Sequence, residues 1–361
     1  MIQPDRVVRT FLDLVAIPSP SEREDEIRIE LATRFRALGS DVSVDEHGNL
    51  VARWPAGSYQ WLLLSAHMDT HEHDRPIRPT LRDGVIRTDG TTILGADDKS
   101  GLAVIIEALH ALQEARHPCS GLEIVVTVAE EKGLVGARLL DKTQLRARRG
   151  YVVDGDGPTG RIEVGTPSLE SIDVEVRGKT AHASKEPEKG ISAIRVAAEA
   201  IASMPLGRVD AASIGNIGVI QGGTAANMIP EEVRIQGQAR SHDATLLRRQ
   251  VSAMVEAFER AAARHGADLE LQITPRESGY QLAPDAPVVV DAVAAARSVG
   301  VTPILDGNAT ATDANVFNGF GIPCAVLSTG VEDKHTPREH IAVADLVAAA
   351  RMLEALLLGR N

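Results

Sequence analysis

The spacing of apolar residues predicts alternating helices and strands in the first part of the chain. Apolar positions between 4 and 38 recur at helical spacing, interrupted by a turn at 17–20, after which Ser21 can cap a second helix. Residues 61–66 form a nearly continuous apolar run, typical of a strand buried on both faces. The other predicted elements are strands at 50–54, 123–129 and 150–153 and helices at 101–115 and 132–140. This alternation indicates an α/β fold with a mostly parallel sheet flanked by helices.

A different order of elements occupies the middle of the chain. Strands are predicted at 169–176, 213–220, 231–240 and 269–274, with helices at 191–204 and 244–264. The resulting β-α-β-β-α-β order is that of a ferredoxin-like α+β domain. The first pattern then resumes, with helices at 286–298, 313–317 and 343–358 and strands at 302–305 and 324–327. We therefore expect one domain from residues 1–166 plus 276–361 and an inserted domain from 167–275.

Composition agrees with two domains of a soluble protein. The 361 residues exceed what one hydrophobic core usually organises, and 43% hydrophobic with 24% charged residues is a globular composition. A net charge of -12 argues against a nucleic-acid partner, and no apolar run approaches the ~20 residues of a membrane helix. Cys119 and Cys324 are too few for a disulfide framework or a thiolate metal site. Together with an N-terminus unlike a signal or transit peptide, this favours a cytoplasmic location.

Histidine and carboxylate residues follow several predicted strands, at the edge where open α/β sheets bind ligands. His67 leaves the apolar strand as a candidate metal ligand, and Asp69 can accept its second ring proton, which would fix the tautomer. An H-x-D triplet arises easily by chance, so this motif is weak when taken alone.

Two pairs of adjacent acidic residues strengthen the prediction of a metal site. Asp97 and Asp98 stand between glycines at a helix start, where helix capping is the simpler explanation. Capping does not require two adjacent carboxylates, however, whereas a carboxylate bridging two cations requires a closely bending backbone. Glu130 and Glu131 leave the next apolar strand, and they suit a division of labour between general base and metal ligand, although a solvated turn is an equal alternative.

Asp154, after another short strand, and His335 complete a set of two imidazoles and three carboxylates. Nitrogen and oxygen ligands without sulfur suit catalytic zinc and also manganese or cobalt. Two cations about 3.5–4 Å apart that share a carboxylate would activate water and polarise a carbonyl, which is the chemistry of amide hydrolysis. His71 and His73 are weaker candidates and are expected in a polar loop near the site. Neither a nucleotide-binding P-loop nor a G-x-S-x-G serine elbow occurs in the sequence.

In this order, the segments HMDT (67–70), GADDKSG (95–101), AEEKGLVGA (129–137) and VVDGD (152–156) resemble a family of dinuclear zinc exopeptidases and amidohydrolases. The family includes peptidase T, carboxypeptidase G, aminoacylase and succinyl-diaminopimelate desuccinylase, and the peptidase T branch is the nearest in sequence. The resemblance implies two Zn²⁺ per subunit, with Co²⁺ or Mn²⁺ as substitutes. It implies these ligands: Asp97 bridging both metals, His67 and Asp154 at one, and Glu131 and His335 at the other.

The resemblance also implies Glu130 as general base, Asp69 as the partner of His67 and a cis peptide after Asp97. In the inserted domain, His182 resembles a histidine that reaches the oxyanion of the tetrahedral intermediate, often from the partner subunit of a dimer. Asn227 and Arg240 resemble substrate-binding residues. The motifs that carry the three residues are GKTAHAS (178–184) for His182, AANMIP (225–230) for Asn227 and QARS (238–241) for Arg240. The insert would then act as a lid and as the surface of a homodimer.

The sequence leaves the substrate open. An aminopeptidase or tripeptidase must recognise a free amine, for which Glu72 and Asp74 are candidates, whereas a carboxypeptidase or N-acyl amino acid amidohydrolase must recognise a carboxylate, for which Arg240 is suited. A non-catalytic metal-binding protein is the remote alternative, and it would be expected to lack the base or a ligand.

Overall fold

The computed structural model describes residues 1–54, 61–73, 75–116, 121–307 and 310–359. Of the residues discussed above, Asp74 and Cys119 lie outside this part of the chain. The helices are α1 (Pro4–Val15), α2 (Asp25–Ala37), α3 (Ala96–Ala115), α4 (Val135–Leu139), α5 (Ala193–Ser203), α6 (Ala244–His265), α7 (Pro287–Ser298), α8 (Asp313–Gly319) and α9 (Val343–Leu358). Within the described ranges, none of the helices is long and apolar enough to cross a membrane.

The strands are β1 (Asp41–Val44), β2 (Leu50–Trp54), β3 (Trp61–His67), β4 (Thr80–Arg82), β5 (Val85–Arg87), β6 (Gly121–Thr127), β7 (Gly150–Asp156), β8 (Arg161–Glu163), β9 (Gly165–Thr166), β10 (Ser168–Arg177), β11 (Gly207–Arg208), β12 (Ser213–Gly222), β13 (Glu232–Ser241), β14 (Asp268–Glu277), β15 (Tyr280–Gln281), β16 (Ile304–Asp306), β17 (Cys324–Glu332) and β18 (His340–Ala342). The chain divides into two compact units, Met1–Gly165 with Leu282–Asn361, and Thr166–Gln281.

The larger unit is built on a sheet with the strand order β1-β2-β6-β3-β7-β17-β18-β5-β4. Its centre, β6-β3-β7-β17, is parallel, and antiparallel strands extend it on both sides. Helix α3 packs against β3, β7 and β17 and contacts α1 and α9, while α8 packs against β17 and β7. The predicted α/β class, a mainly parallel sheet flanked by helices, is confirmed.

The smaller unit has an antiparallel sheet in the order β11-β12-β13-β10-β14. Apart from the short β11, this places the β-α-β-β-α-β strands in the order second, third, first, fourth, a ferredoxin-like arrangement. Alternate residues of β10, namely Ile172, Val174 and Val176, are buried in a core shared with α5 and α6. Asp173 and Glu175 fall between them at partly exposed positions, as the period of two in a strand requires.

Two local predictions were wrong. Ser21 does not cap α2, because residues 20–23 form a further turn and the helix begins at Asp25. The Ser21 hydroxyl is bonded to Asp69 instead. The helix expected at 132–140 is broken, with a 3₁₀ turn at Glu130–Lys132 followed by α4. Gly133 and Leu134 have positive φ angles of 96° and 61° between these pieces, and this left-handed backbone cannot continue a helix.

Candidate metal centre

His67 and Asp154 lie at the same edge of the larger sheet because their strands are parallel. His67 is the last residue of β3 and pairs in register with Thr127, the last residue of β6, while Asp154 lies near the end of β7. Residues 62–66 before His67 are buried, and the histidine itself is only 2% exposed. The strand therefore presents its imidazole from a rigid and water-poor position.

The Asp97 carboxylate lies between two imidazoles. Its Oδ1 is 3.3 Å from His67 Nε2, and its Oδ2 is 2.9 Å from His335 Nε2. Asp154 Oδ1 lies 3.9 Å from His67 Nε2 on the first side, and Glu131 Oε1 lies 2.9 Å from His335 Nε2 on the second. The five residues proposed from the sequence as ligands thus converge, with Asp97 between the two pairs.

The backbone around Asp97 is shaped by close contacts. Gly95 has a left-handed φ of 69°, and the Asp97–Asp98 peptide is cis, as the resemblance implied. A Cβ on Gly101 would lie 2.0 Å from the Val153 carbonyl oxygen, so only glycine permits α3 to approach β7 this closely. The buried Glu339 carboxylate accepts hydrogen bonds from three N–H groups of this loop, those of Leu94, Gly95 and Asp97, at 2.7, 2.8 and 3.0 Å.

Asp69 connects His67 to the turn that carries the acidic pair. His67 Nδ1 lies 2.9 Å from the main-chain oxygen of Asp69 and 3.3 Å from its carboxylate Oδ1, so the carbonyl is the closer partner. The carboxylate accepts the N–H groups of Glu130 and Glu131 at 3.0 and 3.2 Å and the Ser21 hydroxyl at 2.7 Å. Asp69 therefore fixes both the imidazole and the backbone from which the two glutamates project.

A lysine ammonium also reaches this centre. Lys334 Nζ donates to Asp97 Oδ1 at 3.0 Å, to Asp154 Oδ1 at 2.8 Å and to the Asp154 main-chain oxygen at 2.8 Å. Burial alone would raise the pKa of Asp97, but the Lys334 charge and hydrogen bonds with His335 and His67 hold it well below its usual value. For Asp154 the effect of burial is larger than that of the Lys334 charge, so the pKa of Asp154 is raised to about 7.

Within the part of the chain that the structure describes, two sets of side chains can each hold a divalent cation. In each set one ligand atom per residue lies within 4.8 Å of the others, and the sets are His67, Asp97 and Asp154, and His71, Glu131 and His335. Glu131 Oε1 is buried and lies 2.9 Å from His335 Nε2, but it accepts no well-formed hydrogen bond among the described residues. A buried carboxylate oxygen without a donor, in a set of nitrogen and oxygen ligands, fits a metal such as zinc.

Within the smaller unit, the structure brings two of the three implied residues together. Ala183, next to His182, donates its N–H to the Asn227 carbonyl at 3.0 Å, and His182 forms a β-bridge with Met228. Arg240 lies near the far end of β13, paired with Leu169. The His182–Asn227 pair adjoins the other end of that strand, so about eight residues, roughly 27 Å of strand, separate it from Arg240.

Sequence reasoning missed several contributors and undervalued one. Lys334, Glu339 and Ser21 stand in predicted loops or turns, and nothing in their spacing distinguishes them from solvated residues. The sequence favours His71 only weakly as a ligand, yet its ring centroid lies 4.9 Å from that of His335. Glu72, a candidate for binding an amine, is 2.6 Å from the Arg23 guanidinium.

Histidine and carboxylate side chains grouped around the Asp97 carboxylate, at the edge of an α/β sheet, are the arrangement expected of a metal-dependent hydrolase. The chain belongs to peptidase family M20/M25/M40, whose model matches residues 63–359. The family resemblance inferred from the sequence and the assignment to the hydrolases are thereby confirmed.

The chain is similar over its whole length to solved and curated relatives. A crystal structure of the aminopeptidase PepT from Bacillus cereus is 40% identical, has a TM-score of 0.97, and covers 99% of this chain and 98% of its own. A tripeptidase from Staphylococcus aureus is 37% identical, with a TM-score of 0.95 and the same coverage. The uncharacterized protein YqjE of Bacillus subtilis is 40% identical over 99% of both chains. The chain therefore lies close to the peptidase T-like branch.

Proposed function

We propose that this protein is a two-metal aminopeptidase that removes the N-terminal residue of short peptides, tripeptides in particular. The observation that carries the proposal is the position of Asp97, whose two oxygens face different ligand sets, His67 with Asp154 and His335 with Glu131. The choice of substrate is supported by the two similar structures, described as an aminopeptidase and a tripeptidase.

The metals that fit these ligand sets are two Zn²⁺ ions, with Co²⁺ or Mn²⁺ as substitutes. When bound, they would supply Lewis-acid chemistry, polarising the scissile carbonyl and acidifying water. Asp97 would be shared by both ions, and Asp69 would hold His67 in the tautomer that leaves Nε2 free to bind metal.

Glu130 is the proposed general base. Desolvation, with a further contribution from the charge of Asp154, raises the pKa of Glu130 well above its usual value, which makes it a stronger base. Its backbone N–H is held by Asp69 at 3.0 Å, so its starting position is fixed. Glu130 would take a proton from the attacking water and deliver it to the leaving amine, and acid–base catalysis of this kind contributes about 10²–10⁴-fold.

We further propose that the protein acts as a homodimer in the cytoplasm, with the smaller unit serving as lid and dimer surface. A tripeptide spans at most about 10 Å. One copy of the chain cannot therefore bring both ends of β13 to one substrate, since roughly 27 Å of strand separates them. A site that uses both His182 and Arg240 would have to draw one of them from a second copy.

The substrate is tested with three forms of one tripeptide, offered to purified protein loaded with zinc or cobalt. Trialanine should be cleaved, and N-acetyl-trialanine should resist, because an aminopeptidase requires the free amine. Trialanine amide should be cleaved more slowly than trialanine if Arg240 binds the substrate carboxylate. Hydrolysis of the acetylated form or of N-acyl amino acids would instead support the amidohydrolase alternative. Absence of hydrolysis of every substrate by the metal-loaded protein would refute the proposal.

The role of Glu130 as general base is tested with Glu130→Gln, which preserves the size of the side chain and removes the proton acceptor. We expect the variant to keep its bound metal and to lose about 10²–10⁴-fold in kcat. Glu46→Gln is a suitable control, since Glu46 is 87% exposed. A Glu130→Gln variant with normal turnover would exclude Glu130 as the base.

A further inference from the structure

Lys334 contacts the carboxylate oxygens that one of the two cations would need. Its Nζ lies 3.0 Å from Asp97 Oδ1 and 2.8 Å from Asp154 Oδ1. The same two oxygens are 3.3 and 3.9 Å from His67 Nε2, the nitrogen of that ligand set. The ammonium therefore neutralises part of the charge of the His67–Asp97–Asp154 set from within it.

The other ligand set has a different environment. Among the described residues, Glu131 forms its ion pair with His335, and no lysine or arginine lies within ion-pair distance of the Glu131 carboxylate. His71 adds a further imidazole beside His335, and its ligand atom lies within 4.8 Å of those of Glu131 and His335. One set thus contains a competing cation, whereas the other has an additional nitrogen ligand.

Both differences lower the metal affinity of the His67–Asp97–Asp154 set relative to that of the His71–Glu131–His335 set. Zinc binds carboxylate oxygens at about 2.0–2.2 Å, so an ion at Asp97 Oδ1 and Asp154 Oδ1 would lie close to the ammonium that already contacts both. Two cations so near each other repel strongly in a poorly hydrated site. The Lys334 side chain is 20% exposed, so it has a route to solvent when an ion displaces it.

We propose that Lys334 is a built-in counter-cation that competes with the second metal ion, so that the two metal positions fill in a fixed order. The set of His71, Glu131 and His335 binds first and tightly. The set of His67, Asp97 and Asp154 binds second and more weakly, after Lys334 has moved away. Before that, Lys334 holds the two aspartates in place. This inference rests on the metal centre proposed above. It adds that enzyme activity depends on the concentration of free metal, because that concentration sets the occupancy of the weaker position.

The test is a Co²⁺ titration of the full chain after removal of metal with a chelator, followed by visible absorption and equilibrium dialysis. The wild type should bind two ions in two resolved steps. Lys334→Met should tighten the weaker step by at least tenfold and leave the tighter step unchanged. Lys334→Arg, which keeps the charge, should retain two well-separated steps. Lys142→Met removes an ammonium that stacks over Phe320, away from these carboxylates, and should behave as wild type.

A second variant tests the order of filling. His71→Gln should weaken the tighter step and leave the weaker one in place. If His71→Gln weakens the lower-affinity binding step instead, or changes neither step, the assigned order of filling is wrong. An unchanged weaker step in Lys334→Met would overturn the competition, and Lys334→Gln provides the same comparison if the methionine variant does not fold.

Metal-free stability is a readout that does not involve metal binding. Without the ammonium the aspartates repel each other, so metal-free Lys334→Met should unfold at a lower temperature than the wild type, and saturating Co²⁺ should abolish the difference. Equal stability of the metal-free proteins would contradict the proposal. Two ions bound with equal affinity by the wild type would refute this inference alone, whereas failure to bind any cobalt would also refute the proposed function.

Discussion

Asp97 and His335 are 238 positions apart in the sequence, yet Asp97 Oδ2 lies 2.9 Å from His335 Nε2. The contact joins the start of α3 to the loop after β17. Glu339 strengthens the same junction from a second point, since its carboxylate accepts the Asp97 N–H at 3.0 Å. The fold thus brings the histidine loop to Asp97 by two independent contacts.

This contact predicts a pH dependence for the metal-free protein. The hydrogen bond with Asp97 and the Glu131 carboxylate 2.9 Å away raise the pKa of His335 from 6.5 to about 10. A raised pKa means that the folded state binds the proton more tightly, so the stabilisation is fully present below pH 6.5 and is lost as the pH rises to about 10. Because the side chain is 44% exposed, solvent screening should keep the effect modest.

The corresponding measurement is thermal unfolding in the presence of a chelator. The advantage of wild type over His335→Gln should be largest near pH 6 and should shrink steadily towards pH 10. A difference that stays constant, or grows, with pH would show that the protonated imidazole does not contribute in this way.

Ser21 should matter although it lies far from Asp69 in sequence. Ser21→Ala removes the hydroxyl that donates to Asp69 Oδ2 at 2.7 Å in a buried site. Loss of a donor to a buried acceptor costs about 1–3 kcal/mol of the free energy of unfolding. Because Asp69 supports His67, we also expect metal affinity to fall about tenfold. Denaturant unfolding and metal titration measure both effects.

Ser298→Ala is the matched control, since among the described residues that hydroxyl bonds to the carbonyl of Ala295 within its own helix. If both serine variants lose stability equally and neither loses metal affinity, Ser21 has no special connection to the centre.

Subunit mixing tests the proposed dimer. His182→Ala and Arg240→Ala should each lose most activity as purified homodimers. If His182 acts in the partner's site and Arg240 in its own, a mixed dimer contains one site with both residues intact, and refolding the two variants together should restore activity. Variants that stay inactive after mixing, although mass measurements show mixed dimers, would contradict the shared site.

Asp97→Asn tests the shared carboxylate directly. An amide offers one acceptor oxygen, so it cannot serve both ligand sets. We expect the variant to lose at least one bound metal and at least a thousandfold in kcat/KM. Asp83→Asn, at an exposed turn position with a φ of 51° that asparagine tolerates, should keep both. Full metal content in Asp97→Asn would show that Asp97 does not bridge the ions.

Much of this architecture could be predicted because the responsible signals are local. The apolar run before His67 and the one before Glu130 indicate buried parallel strands, and polar residues at their ends fall at one edge. The contributions of Lys334 and Glu339 depend on chain crossings that no local pattern encodes. The Ser21 prediction was wrong because a hydroxyl near a helix start can cap the helix or bond elsewhere, and the buried Asp69 carboxylate is the stronger acceptor.

The central claim is that two divalent ions share Asp97, and anomalous diffraction from crystals of the zinc-loaded protein tests it most directly. The account predicts two zinc peaks about 3.5–4 Å apart. One should lie beside Asp97 Oδ1 with His67 and Asp154, and the other beside Oδ2 with His335. A single peak, or peaks away from Asp97, would contradict it.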